Sequence, residues 1–272
     1  MDKNQAFGRK KYDCVFSLGE ACYCAKYLQK MHLRRFSAPL DWVAGVSFSG
    51  RIDFLLDGFA GYINKGDLNL IGQRDYPEPC DIYQNTRTGM IFNHDFPLNK
   101  NLDESYPAVR EKYDRRINNL YRRLAEAQSV LIVYMELVET PPAIGSSEEL
   151  VAQMNRLKEK FPDKEINLMY IRHNEALPDG GFTIDRVTPD ICLAECYNRR
   201  RKNYSPTVGN YDNVRKIFRG LSSRGKPLDT FKYELRRFVR NFGKIIWRHK
   251  IKDGREYIRI LGIKCPLNNK KP

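Results

Sequence analysis

Apolar and polar positions divide the chain into a mixed series of strands and helices. Residues 12–18 are a short apolar run that reads as a buried strand. Residues 20–31 follow at once, with Ala21, Ala25, Leu28 and Met31 on one helical face. Helical spacing returns over 48–57 through Phe48, Ile52, Leu55 and Leu56. Residues 62–90 are rich in Gly, Asn, Asp and Pro and predict irregular structure with short strands. Ile91-Phe92 then leads into Asn93-His94-Asp95-Phe96, which places His94 near a strand end. Pro107 opens a predicted amphipathic helix over 107–127, carried by Val109, Tyr113, Ile117, Leu120 and Leu124. Ser129 to Leu137 is a continuous apolar run with β-branched residues, the pattern of a strand covered on both faces in a parallel sheet. A helix over 147–160 and a buried strand over 166–171 follow. Cys192 and Cys196, four apart, predict one packed face of a helix.

Strand, helix and strand at these lengths make a βαβ unit, and 12–31 looks like the first half of another. The expected fold class is α/β, with a largely parallel sheet flanked by helices.

The last segment reads differently. Over 228–248, Leu228, Phe231, Leu235, Phe238, Phe242 and Ile245 recur at three- and four-residue steps, and Lys232, Arg236, Arg237, Arg240, Lys244 and Arg248 fill the rest. This predicts a basic amphipathic helix of the kind that lies in a membrane interface. Each basic residue near an anionic bilayer adds on the order of 1 kcal/mol. Docking of the same helix on the body, with its charges solvated, is the open alternative. Asp253-Gly254 between alternating residues predicts a β-hairpin. From Lys226 onward, fourteen basic residues stand against four acidic ones, so the tail carries +10 of the formal +14. The chain is therefore read as a body, 1–225, and a basic tail, 226–272. An anionic membrane surface met through 228–264 is the expected partner of the tail. Nucleic acid ranks below it, because the basic residues share a helix with a full apolar face rather than with exposed stacking aromatics.

Seven irregularly spaced cysteines do not read as a disulfide framework. The polar stretch from Met1 to Lys11 does not read as a signal peptide, and no run approaches the roughly 20 apolar residues of a membrane span. A cytoplasmic location, peripheral on the inner membrane, is the expectation. No phosphate loop, dinucleotide fingerprint, HExxH or paired CxxC occurs, so no cofactor or metal is expected.

The candidate chemistry lies at Ser17-Leu18-Gly19-Glu20-Ala21-Cys22, where a strand ends at a turn and a helix begins with Cys22 in its first turn. The positive end of a helix favours thiolate over thiol, which suits a nucleophile. A buried structural cysteine is the alternative. His94 is the first candidate for general base and acid toward Cys22, oriented by a neighbouring carboxylate or amide. Asp41, beside Trp42 on a loop, reads as a third member or substrate contact, or else as a helix cap. His173 is a second candidate base; His32 and His249 sit in basic surroundings and read as surface residues.

Ser17-Leu18-Gly19-Glu20-Ala21-Cys22, Ser37-Ala38-Pro39-Leu40-Asp41-Trp42 and Asn93-His94-Asp95-Phe96 together resemble a bacterial domain family labelled as papain-like cysteine peptidases. The resemblance covers about residues 12–200, with Leu40 where the family usually has Phe. It implies Cys22 as nucleophile, His94 as its base and Asp41 as a possible third residue. It also implies a papain-like α+β fold as the alternative architecture, with the thiol helix on an antiparallel sheet. A peptide or glycan-linked substrate would follow, by peptide hydrolysis or by thiol-mediated acyl or glycosyl transfer. The closing segment 257–264 resembles tails of bacterial sugar transferases, which implies a setting in cell-surface polysaccharide assembly. A non-catalytic or sugar-binding accessory protein of that pathway is the second reading.

Overall fold

The computed structural model describes residues 6–75, 79–98, 100–136, 146–197 and 211–225, and the backbone of 248–252, 255–260 and 263–266. In chain order the elements are β1 (Lys10–Tyr12), β2 (Cys14–Ser17), α1 (Ala21–Lys30), β3 (Val43–Ala44), α2 (Phe48–Leu56), β4 (Leu68–Arg74), β5 (Cys80–Asn85), β6 (Ile91–Pro97) and α3 (Leu102–Glu126). They continue with β7 (Ser129–Met135), α4 (Ser147–Lys160), β8 (Glu165–His173), β9 (Phe182–Thr188), β10 (Ile191–Cys196), α5 (Tyr211–Ile217) and β11 (Leu221–Ser223). Two units separate, Met1–Pro227 and Leu228–Pro272.

In the first unit, a five-stranded sheet has the order β2-β7-β8-β10-β9. β2, β7, β8 and β10 run parallel, and β9 closes the edge antiparallel to β10. The fully buried run Val130–Met135 of β7 fills its centre, as the sequence predicts for a strand covered on both faces. On one face Val15, Leu131, Val133, Met135, Met169 and Ile171 pack with Cys24 and Leu28 of α1 and with Val214 and Ile217 of α5. On the other, Phe48 of α2 meets the rings of Tyr134 and Tyr170 at 4.9 and 5.3 Å. There α4 lies against α2, with Gln153 Nε2 donating to Ser49 Oγ at 3.2 Å.

Between β2 and β7 the chain builds a second, antiparallel sheet of order β3-β6-β5-β4, where irregular structure was expected over 62–90. β4 is an edge strand with most side chains exposed, including Leu70 and Ile71, so it lacks the alternation that announces a half-buried strand. Tyr62, Phe92 and Tyr113 pack edge to face, with centroids 5.5–5.7 Å apart, between this sheet and α3. The fold is thus mixed α/β: a largely parallel sheet with helices on both faces, plus an antiparallel sheet where the sequence predicts irregular structure with short strands, and of the kind that the α+β alternative contains.

Two further expectations change. α3 begins at Leu102, five residues before Pro107, because Asn101 caps it by accepting from Glu104 N at 2.9 Å. Cys192 and Cys196 lie on strand β10 and not on a helix. A spacing of four returns a side chain to the same face of a strand as well as of a helix, and both cysteines are buried in the α1-side core.

The second unit contains β12 (Arg248–Lys252), β13 (Arg255–Ile260) and β14 (Ile263–Pro266), an antiparallel sheet in which Lys252 pairs with Arg255 across the expected hairpin. The predicted amphipathic helix over 228–248 falls almost entirely outside the described residues. Among the described residues no helix is long and apolar enough to cross a membrane.

Candidate active site

The turn that delivers Cys22 is stitched to β7. Leu18 N donates to Val133 O at 2.8 Å and Glu20 N to Met135 O at 3.1 Å, so the chain keeps pairing with β7 after β2 has ended. Ser17 Oγ accepts from Gly19 N at 3.0 Å and tightens the turn. Gly19 is required by close packing: a Cβ there would come within 2.5 Å of Cys24 Cβ and 2.9 Å of Met135 N. Arg51, fully buried on α2, donates from Nη1 to Gly19 O at 3.1 Å and to the carbonyls of Val43 and Val46 at 3.3 and 2.9 Å. A buried cation thereby braces the turn, α2 and β3 together.

α1 starts next, with Glu20 as its N-cap residue and no side-chain cap bond. The buried Glu20 carboxylate instead accepts from Tyr134 OH at 3.1 Å. Beside it Tyr170 stacks on Tyr134 at 4.9 Å and donates to the buried Glu136. Two acids and two tyrosines therefore gather at the C-terminal ends of β2, β7 and β8, the edge at which open α/β sheets place their chemistry. None of these four was singled out in the sequence reading; a Glu beginning a helix after a strand was the available signal.

Cys22 sits in the first turn of α1 and is 8% exposed. Lys26, one helical turn on, donates from Nζ to Cys22 Sγ at 3.0 Å, and its ammonium lies 5.1 Å from the centre of the Tyr23 ring. The i, i+4 spacing puts both side chains on one strip of the helix. Burial pushes the thiols of Cys14, Cys24, Cys192 and Cys196 up to about 12, and that of Cys80 upward as well. Cys22 Sγ thus accepts from a cationic side chain; Cys80 also meets one, Arg74.

His94 lies within β6, in the antiparallel sheet, rather than at a strand end, and its ring is exposed. Its Nδ1 is 2.8 Å and its Nε2 3.4 Å from the guanidinium of Arg74, and Trp42 meets the ring edge-on at 6.1 Å. The adjacent Asp95 points to the opposite face, where its carboxylate accepts from Lys112 and from Tyr113 OH at 2.8 Å. The neighbour that meets the His94 ring is thus a guanidinium, not the carboxylate next in sequence. The described contacts tie Cys22 of α1 to Lys26, and His94 of β6 to Arg74 and Trp42.

Asp41 is buried beneath its loop. Its Oδ2 accepts from Arg34 Nε at 3.0 Å, from Arg34 Nη2 and from Ala38 N at 2.9 Å. Burial pushes this carboxyl up, and Arg34 and the Ala38 amide push back. No imidazole is among its hydrogen-bond partners in the described residues; it closes the loop from Arg34 to Asp41. His173 ends β8 beside Cys196 of β10, with Nε2 3.6 Å from Glu175 and the ring 5.4 Å from Tyr197. Among the described residues, no group of three His, Cys, Asp or Glu side chains is placed to hold a metal ion.

Residues 13–176 match the family described as "Putative papain-like cysteine peptidase (DUF1796)". The match spans more than half of the chain, and the protein belongs to this family. An uncharacterized protein, R408, of Acanthamoeba polyphaga mimivirus is 28% identical over 155 residues, covering 51% of this chain and 69% of the viral one. No solved structure matches.

Proposed function

We propose that the protein is a cysteine-dependent hydrolase or acyl transferase in which Cys22 is the nucleophile. One observation carries the reading: in a chain of a cysteine-peptidase family, Cys22 stands in the first turn of α1 with a cation 3.0 Å from its sulfur. A cation and a helix N-terminus beside the sulfur are the setting in which nucleophilic cysteines are found. His94 as base rests on the motif match, and a peptide or glycan-linked substrate rests on the family's label.

Mass spectrometry of the native protein alkylated with iodoacetamide tests the reading. Cys22 is expected to be modified first and Cys22→Ala to abolish hydrolysis of p-nitrophenyl acetate. An unmodified Cys22 under conditions that alkylate other cysteines would favour the non-catalytic, accessory reading.

The proposed role of the tail is to hold the protein on an anionic membrane surface, and the pattern of 228–264 supports it. Co-sedimentation with phosphatidylserine vesicles is expected to fall when Arg236, Arg237 and Arg240 are replaced by Glu in the full chain. Equal sedimentation removes this role.

A further inference from the structure

We infer that Lys26 is a proton-transfer partner of Cys22. This rests on Cys22 being the nucleophile. It adds a catalytic residue of a type not expected from the papain-like label.

Three observations place Lys26 in that role. Its Nζ is at hydrogen-bond distance from Sγ, 3.0 Å, which is the first condition for a group that exchanges a proton with a reacting atom. It is fixed there rather than swept through solvent: Lys26 is half-buried, it shares a helical strip with Cys22, and the Tyr23 ring lies under the ammonium at 5.1 Å. Among the described residues no carboxylate forms an ion pair with Lys26, so the thiol is the anionic or anion-forming group that it meets.

The chemistry balances with these two side chains, a substrate and water. The reacting form is a thiolate beside an ammonium. The thiolate attacks the acyl carbon, forming the S–C bond. As the bond to the leaving nitrogen or oxygen breaks, the ammonium of Lys26 gives that atom its proton and becomes a neutral amine. Water then attacks the thioester carbon. Lys26 takes the proton of that water, the S–C bond breaks, the acid leaves, and the thiolate and ammonium are restored. A fixed cation would serve the first attack but not the second, which needs a base.

This difference defines the experiment. The full-length protein, Lys26→Met and Lys26→Arg are compared in two reactions: alkylation of Cys22 by iodoacetamide, and hydrolysis of p-nitrophenyl acetate followed through its burst and steady state. The burst releases a nitrophenolate that needs no proton, so it reports attack by the sulfur; in this reaction Lys26 gives its proton to bulk water instead, and the steady state then reports breakdown of the thioester with Lys26 as base. Lys26→Met is expected to slow alkylation at least about tenfold. Lys26→Arg keeps the cation, and alkylation and the burst are expected to stay within about threefold of the native rates, while the steady state falls about 100-fold, the scale of a lost acid–base group. Lys26→Arg with a native steady state overturns the role of Lys26 and leaves the nucleophile standing. A native Cys22 that resists both reagents overturns the nucleophile, and the role of Lys26 with it. Circular dichroism of each variant separates loss of rate from loss of fold.

Discussion

Arg34 holds the carboxylate of Asp41 through two nitrogens, with side chains only 5% and 2% exposed. The pair joins the two ends of an eight-residue loop and leaves the guanidinium 5.4 Å from the Trp42 ring. Breaking one partner of a buried ion pair strands the other charge away from water. Asp41→Asn is therefore expected to destabilise the protein by about 3–5 kcal/mol, read as a lower urea midpoint. The folded fraction should alkylate Cys22 at close to the native rate. A variant that keeps its stability but loses the thiol's reactivity would return Asp41 to the catalytic machinery.

Gly19 has no room for a Cβ against Cys24 and the Met135 amide. Met135 N is backbone in β7 and cannot step aside. Gly19→Ala is expected to lower stability by about 1–3 kcal/mol, the usual range for overpacking, and to displace the first turn of α1. Slower Cys22 alkylation together with a lower melting temperature is the expected result; native values of both would show that the turn yields without strain.

The cysteines should differ sharply in reactivity. Cys14, Cys24, Cys192 and Cys196 are buried and their thiols are held up to about 12, so they stay protonated near neutral pH. Limited alkylation of the native protein at about pH 7.5, with peptide mapping, is expected to leave these four unmodified while Cys22 reacts. Denaturant should bring them to the rate of ordinary thiols. Early modification of Cys24, two residues from Cys22, would mean that α1 does not bury that side of its first turn.

The same four thiols make the fold sensitive to alkali. Their ordinary value is 9.0, and burial raises it to about 12, so the folded chain holds these protons more tightly than the unfolded chain does. Stability from this source is complete below about pH 9 and is lost as pH rises toward 12. Burial raises the hydroxyls of Tyr12, Tyr62, Tyr134 and Tyr170 too, and they add to the effect in the same direction. The melting temperature should hold between about pH 7 and 9 and fall steadily by about pH 10.5. A flat profile across that interval would contradict the burial assigned to these groups.

Where periodicity and burial coincide, the sequence was legible. The apolar run Val130–Met135 and the Ser146-capped α4 appear close to where the pattern puts them, and Ser17-Leu18-Gly19 marks the strand-to-helix turn correctly. The antiparallel sheet was not legible, because β4 is mostly exposed and carries no alternation to read. Pro107 drew the start of α3 to itself, although Asn101-x-x-Glu104 was the true cap signal, reciprocated by Asn101 Nδ2 donating to Glu104 Oε1 at 3.1 Å. At the candidate site Cys22 was visible, and Lys26 stood at a spacing that could have been read, but the search for an imidazole passed over it. Arg34 and Arg51 were beyond reach, since arginine as a residue type signals exposure and only tertiary structure shows it buried.

Because β2 lies beside β7, Asp13 bonds to Ser129, 116 residues further along the chain. Everything that frames Cys22 on the sheet side, from Val133 to Met135, is synthesised after the whole antiparallel insertion. At ordinary rates of translation the ribosome takes on the order of ten seconds to cover that interval. During it the thiol exists on a nascent helix without the strand it will be stitched to. The turn that carries Cys22 is thus made well before the strand it is stitched to, and its sheet-side frame is complete only once β7 has emerged.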